Sequence, residues 1–278
     1  MAVVAEQLKL SDLYLLSDVD GTLINHDGTI PQRNIEALNR FVGKGGHFAI
    51  ATGRSPFWIR SLVEQLPVNA PCVCFNGGML YNFSTEETVM ELLLPDYAKA
   101  YADILQQAPF PVGLTVMTKE EYHNVGVHPE LNEELMKRRQ SEFTAPVPWQ
   151  SVTDPWYKLL IMFDEKNYGA YQEYAKTLQL EGVRFTETAP VLAEMLPAIS
   201  SKAYAIDKLM EIYGLRREQM ACIGDFYNDL EMLQAAGIPA TVQDAPDDIK
   251  QICIHVGGKC QDGAVADLVE YLETNYPE

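Results

Sequence analysis

An apolar run, Leu13 to Leu16, that ends in Ser17-Asp18-Val19-Asp20-Gly21-Thr22 constrains this chain more than any other stretch. The apolar residues suit a buried strand, and Gly and Thr suit a chain leaving one, so two carboxylates meet at a strand end. In extended backbone, residues i and i+2 point the same way, which lets Asp18 and Asp20 face one pocket while Val19 faces the core. Two unit charges about 4 Å apart repel by roughly 4 kcal/mol at an effective dielectric near 20. The pair therefore requires a cation or a shared proton; the plain alternative is an Asp-rich turn after a strand.

Three further strand ends repeat the theme. His47 to Ala51 reads as a buried strand ending at Thr52-Gly53-Arg54, Cys72 to Phe75 as one ending at Asn76-Gly77-Gly78, and Met220 to Ile223 as one ending at Gly224-Asp225-Phe226-Tyr227-Asn228-Asp229. Helical spacing of apolar residues covers Pro31 to Phe41, about Pro56 to Gln65, Lys202 to Tyr213, Leu230 to Ala236 and Val265 to Thr274, and Gly214 stops the third of these. Apolar strands alternating with helices predict a parallel sheet with helices on both faces, whose ligands bind at the carboxyl ends of the strands. Lys202 opens its helix, where a positive charge opposes the helix dipole, so a lysine there points to an anionic ligand close by; a solvated surface lysine is the alternative.

From about Phe83 to Pro197 the character changes. Helical patterns at Pro95 to Gln107, Pro129 to Ser141 and Lys166 to Leu180 alternate with strand-like runs at Val112 to Met117, Lys158 to Phe163, Val183 to Thr186 and Val191 to Leu196, none ending in a polar group of the earlier kind. The fold class is α/β: a Rossmann-like parallel-sheet core over 1–84 and 198–278, with an inserted α/β domain over 85–197. Trp149 and Trp156 read as core or domain-contact residues. His123 and His128 are assigned no role.

Composition narrows the function classes. Lys and Arg total 21 against 39 Asp and Glu, a formal charge of −18, which repels polyphosphate backbones; Lys137-Arg138-Arg139 is the single basic cluster, so no nucleic acid partner is expected. An acidic protein acting on a phosphate must supply local positive charge, which raises interest in a metal and in well-placed lysines. The five cysteines, at 72, 74, 222, 253 and 260, form no zinc pattern and lie largely in apolar runs. Met1 to Leu16 lacks the apolar region of a signal peptide, and no run reaches membrane-spanning length, so a cytoplasmic protein without a membrane partner is expected.

The polar strand ends and the helix start together supply Asp18, Asp20, Thr52, Lys202, Asp225, Asn228 and Asp229. Hard oxygen ligands favour magnesium (Mg2+). With its four motifs in order, Asp18-Val19-Asp20-Gly21-Thr22, Thr52 within Ala51-Thr52-Gly53-Arg54, Ser201-Lys202, and Gly224 to Asp229, the sequence resembles the haloacid dehalogenase-like phosphohydrolases, in particular the Cof-type subfamily with a large α/β cap. The resemblance covers the whole chain and places the cap between the second and third motifs. It implies a magnesium-dependent phosphatase acting on a small phosphorylated metabolite, a sugar phosphate or a phosphorylated cofactor. Asp18 would be the nucleophile, Asp20 the proton carrier, Thr52 a phosphoryl hydrogen-bond donor and Lys202 the charge that offsets the phosphate. Asp18, the backbone carbonyl of Asp20 and Asp225 would hold the metal, with Asn228 and Asp229 orienting it from nearby and Arg54 and Asn76 contacting substrate. Substrate selection is expected in cap loops at about Leu114 to Val127 and Trp149 to Trp156. A sugar phosphomutase of related fold and a non-catalytic phosphometabolite sensor are the alternatives.

Overall fold

The structure, a computed structural model, describes residues 7–138, 144–178, 181–189 and 191–277. The chain divides into two compact units, one of 1–54, 58–91 and 201–278, the other of 55–57 and 92–200. In chain order the elements are β1 (Tyr14–Ser17), α1 (Gln32–Gly43), β2 (His47–Ile50), α2 (Pro56–Val63), β3 (Cys72–Cys74), β4 (Met79–Asn82) and β5 (Glu87–Glu91). The insertion follows with α3 (Tyr101–Gln106), β6 (Gly113–Met117), β7 (Tyr122–Asn124), α4 (Pro129–Arg138), β8 (Lys158–Met162), α5 (Tyr168–Thr177), β9 (Val183–Ala189) and β10 (Leu192–Pro197). The first unit resumes with α6 (Lys202–Tyr213), β11 (Met220–Gly224), α7 (Leu230–Ala235), β12 (Ile238–Thr241), α8 (Asp247–Ile252), β13 (His255–Val256) and α9 (Ala264–Asn275).

The first unit is built on a five-stranded sheet of order β13-β12-β11-β1-β2, parallel throughout. Its central strands are apolar on both faces, as a sheet covered by helices on each side demands: Leu15, Leu16, Phe48, Ala49, Ile50, Ala221, Cys222 and Ile223 are all buried. Helix α1 packs against α9, and α6 against α7. Leu15 stands opposite both Ala221 and Phe48, so β1, β2 and β11 finish side by side.

The third strand differs from expectation. β3 touches the parallel sheet through one bridge, Ala51 to Val73, and belongs instead to an antiparallel sheet of order β3-β4-β5. The cause is local: Phe75, Asn76 and Gly77 have φ of 53°, 54° and 92°, and this left-handed turn reverses the chain into β4. The β4–β5 pairing carries the first unit to Glu91, past the expected limit of 84, so 85–91 lies with the first unit rather than in the insertion.

The inserted unit is a mixed α/β domain on an antiparallel sheet of order β7-β6-β8-β10-β9. Alternate strand residues, Leu114, Val116, Leu159, Ile161, Ala193 and Met195, join Trp156, Phe163 and Tyr171 in one apolar core. Trp156 is thus a core residue. Gly113–Met117, expected in part as a substrate-selecting loop, is a buried strand. The helix expected from Pro95 opens as a tight 3-10 turn over Asp96–Ala100 before α3. The expected ends of two helices, at Ser141 and Leu180, lie outside the described residues. Among the described residues no helix is long and apolar enough to cross a membrane.

Candidate active site

The ladder of the parallel sheet continues one residue past β1: the Asp18 N–H donates to the Ile223 carbonyl at 2.9 Å, which seats Asp18 beside the end of β11, where Asp225 begins. The chain then turns away at Gly21, whose φ of 82° is a left-handed value that glycine adopts without strain. A Cβ at Gly21 would also sit 2.7 Å from Asp225 Oδ2, so a larger residue there would push that carboxylate aside. Thr22 follows, buried, and its hydroxyl donates to Asp225 Oδ1 at 3.3 Å.

Beyond β11 a short turn over Tyr227–Asp229 folds the chain back, so that Asp229 Oδ2 accepts from the Asp225 N–H at 3.1 Å. Lys202 enters from the first turn of α6, which Ser201 starts by accepting from the Tyr204 N–H at 3.0 Å. Its buried ammonium donates to Asp18 Oδ1 and to Asp229 Oδ1, each at 2.5 Å. Carboxylate oxygens of Asp18, Asp225 and Asp229 lie within 4.8 Å of one another.

Three carboxylates against one ammonium leave an excess of negative charge in a buried space. Burial, then the neighbouring Asp229, push the Asp18 carboxyl upward, and Lys202 pulls it part of the way back. For Asp225 the same two causes raise its pKa to about 6, against the Thr22 hydrogen bond and Lys202. Burial alone would lower Lys202, but Asp18 and Asp229 outweigh it and hold the ammonium above the ordinary lysine value. A deficit of two positive charges, enclosed by hard carboxylate oxygens, fits one divalent cation of the magnesium type.

Asp20 stands apart from this cluster. Its side chain is 64% exposed, and both its oxygens accept from Arg54, from Nη2 to Oδ1 at 2.5 Å and from Nε to Oδ2 at 3.2 Å. Thr52, buried at the end of β2, accepts from the Arg54 N–H at 3.2 Å, which leaves its own hydroxyl proton available. Asn76 is buried in the left-handed turn with its side-chain amide against Gly53. Asn228 is exposed, next in the chain to the buried Asp229.

Of the residues singled out from sequence, the structure gathers Asp18, Lys202, Asp225 and Asp229 into one cluster and ties Asp20, Thr52, Arg54 and Asn76 into the neighbouring strand-end loops. Asp229, expected behind the metal, offers an oxygen to the cluster directly. Thr22 was not singled out as a site residue; its place between two candidate ligand loops was the available signal.

An acidic cluster with a buried lysine at the carboxyl ends of a parallel sheet, interrupted by an inserted α/β domain, defines an α/β enzyme. The family model of haloacid dehalogenase-like hydrolases matches residues 15–269. The chain is 28% identical to 5-amino-6-(5-phospho-D-ribitylamino)uracil phosphatase YwtE of Bacillus subtilis strain 168, over 92% of this chain and 96% of that protein. It is 26% identical to pyridoxal phosphate phosphatase YbhA of Escherichia coli K12, over 92% of this chain and 97% of that one. The fold is shared with a haloacid dehalogenase-like hydrolase from Bacteroides thetaiotaomicron at a TM-score of 0.83 and 23% identity, covering 94% of this chain and 99% of the other. The chain belongs to the haloacid dehalogenase-like hydrolase family.

Proposed function

We propose that the protein is a magnesium-dependent phosphatase that hydrolyses a small phosphorylated metabolite, a sugar phosphate or a phosphorylated cofactor, through an aspartyl-phosphate on Asp18. The observation that carries this reading is the buried Lys202 ammonium held against Asp18 and Asp229. A carboxylate can approach a phosphate dianion only where fixed positive charge offsets the repulsion, and Lys202 brings that charge to the Asp18 oxygen itself. The two relatives named above, whose names specify a phosphorylated ribitylamino-uracil and pyridoxal phosphate as substrates, support the substrate class.

In the first step an Asp18 oxygen forms a bond to phosphorus as the bond to the departing alkoxide breaks, and Asp20 gives that alkoxide its proton. In the second, Asp20 takes a proton from water as the water attacks the same phosphorus, releasing phosphate and restoring the Asp18 carboxylate. The Thr52 hydroxyl, whose oxygen is already engaged by the Arg54 N–H, donates to a phosphoryl oxygen. Magnesium, when bound, adds positive charge that polarises the phosphoryl group. Asp18, Asp225 and the backbone carbonyl of Asp20 would hold it, with Asp229 and Thr22 fixing Asp225.

A panel of sugar phosphates, nucleotides and phosphorylated cofactors, assayed for free phosphate with magnesium or with EDTA, tests the reading. Release that needs magnesium is expected. Transfer between positions of a sugar with little free phosphate would replace this reading by the phosphomutase, and no turnover of any ester would leave the sensor.

A further inference from the structure

We infer that Arg54 is the positioning residue for Asp20 and not a phosphate ligand, an inference that rests on the phosphatase reading above. Phe75 and Asn76 are consecutive non-glycine residues at left-handed φ, a conformation asparagine tolerates but one costly for Phe75 and retained there where surrounding structure enforces it. Gly77 completes the turn against the Ser201 carbonyl, at a place where a Cβ has no room, so the turn is locked against the start of α6.

This turn aims two N–H groups at the loop after β2. The Phe75 N–H donates to the Arg54 carbonyl and the Asn76 N–H to the Thr52 carbonyl, each at 3.0 Å. The Arg54 N–H is meanwhile taken by the Thr52 hydroxyl oxygen. Arg54 is therefore fixed at both ends of its own backbone, and its side chain leaves from a set point to grip Asp20 with two hydrogen bonds. Exposed ion pairs contribute little to stability as a rule, but a planar guanidinium on both oxygens of a carboxylate fixes the orientation of its ionised, proton-accepting form, and one of the two bonds is released when Asp20 carries the proton it delivers. Orientation is what Asp20 lacks otherwise, since its side chain is 64% exposed. Positive charge for the phosphate is already provided by Lys202, which leaves Arg54 free for this second task.

A residue that acts through the proton carrier and one that binds phosphate leave different kinetic signatures. Native protein, Arg54→Gln, Arg54→Lys, Asp20→Asn and the Asp20→Asn/Arg54→Gln double variant would be compared on an alkyl phosphate and on p-nitrophenyl phosphate, whose leaving group departs without a proton. For Arg54→Gln we expect kcat on the alkyl ester to fall about 10- to 100-fold with KM within about threefold, and a smaller loss on p-nitrophenyl phosphate. The double variant should be no slower than Asp20→Asn alone. Arg54→Lys, which keeps the charge and loses the two-pronged grip, should show the same split between esters and serves if the Gln variant does not fold. Equal KM increases on both esters, with losses that multiply in the double variant, would overturn the inference while leaving the phosphatase intact. A native protein that hydrolyses neither ester nor any panel compound would overturn both.

Discussion

Replacing Lys202 by methionine keeps most of the side-chain volume and removes the ammonium that bridges Asp18 and Asp229. Both carboxylates are buried, so the change leaves them facing each other and Asp225 without a counter-charge. Breaking a buried ion pair from one side costs about 3–5 kcal/mol, because the remaining charge is stranded. In the metal-free protein part of that loss is relieved by protonation, since Asp18, already pushed upward, rises further. The deficit is therefore largest at pH 8 and shrinks towards pH 5. At about 2–4 °C per kcal/mol for a chain of this size, melting in EDTA at pH 8 should fall by roughly 10 °C, and added magnesium should recover more in the variant than in the native protein. Activity should fall about 100- to 1,000-fold in kcat/KM with magnesium present, the scale of losing one fixed charge that faces the transition state. Melting within 2 °C of native in EDTA at pH 8, with kcat/KM within threefold, would refute the role given to Lys202.

Magnesium should stabilise the native protein in a pH-dependent way. Asp225 and Asp18 have folded-state pKa values above their unfolded ones, so the stability they contribute is complete below about pH 4 and is lost as pH rises, for Asp225 through about 6. A divalent cation binds the ionised forms, so the gain in melting temperature on adding it should be greater at pH 8 than at pH 5; at 100 times its Kd the gain is worth about 2.7 kcal/mol. An equal gain at both values would contradict metal binding at these carboxylates. Gly21→Ala places a methyl against Asp225 at a left-handed φ and should cost about 1–3 kcal/mol of stability while raising the magnesium needed for half-maximal activity; an unchanged magnesium titration would contradict the tight approach of the two loops.

The carboxylate cluster was legible because its members sit at the ends of apolar strands, and parallel strands finish together. Asp18 and Asp225 needed only the order of elements to meet. Asp229 follows Asp225 by four residues, a spacing that one turn folds back onto the strand end. Arg54 was harder: it is chemically suited to phosphate, and its commitment to Asp20 depends on the left-handed turn at 75–77, which no periodicity announces. The β4–β5 hairpin was missed because β5 is partly exposed along its length and its turn is a polar stretch that reads as a plain loop. Short elements fared likewise: β7, α8 and β13 span three, six and two residues, too few for an apolar period to register.

The most direct measurement is phosphate release from the best panel substrate, with magnesium, by the native protein and by Asp18→Asn at equal concentration. Loss of turnover by at least about a thousandfold is expected in the variant, with its fold retained and at magnesium raised to offset the lost Asp18 charge, because no other carboxylate of the cluster can replace the attacking oxygen. Turnover by Asp18→Asn within tenfold of native would contradict the account, since the phosphoryl group would then pass to water without visiting Asp18.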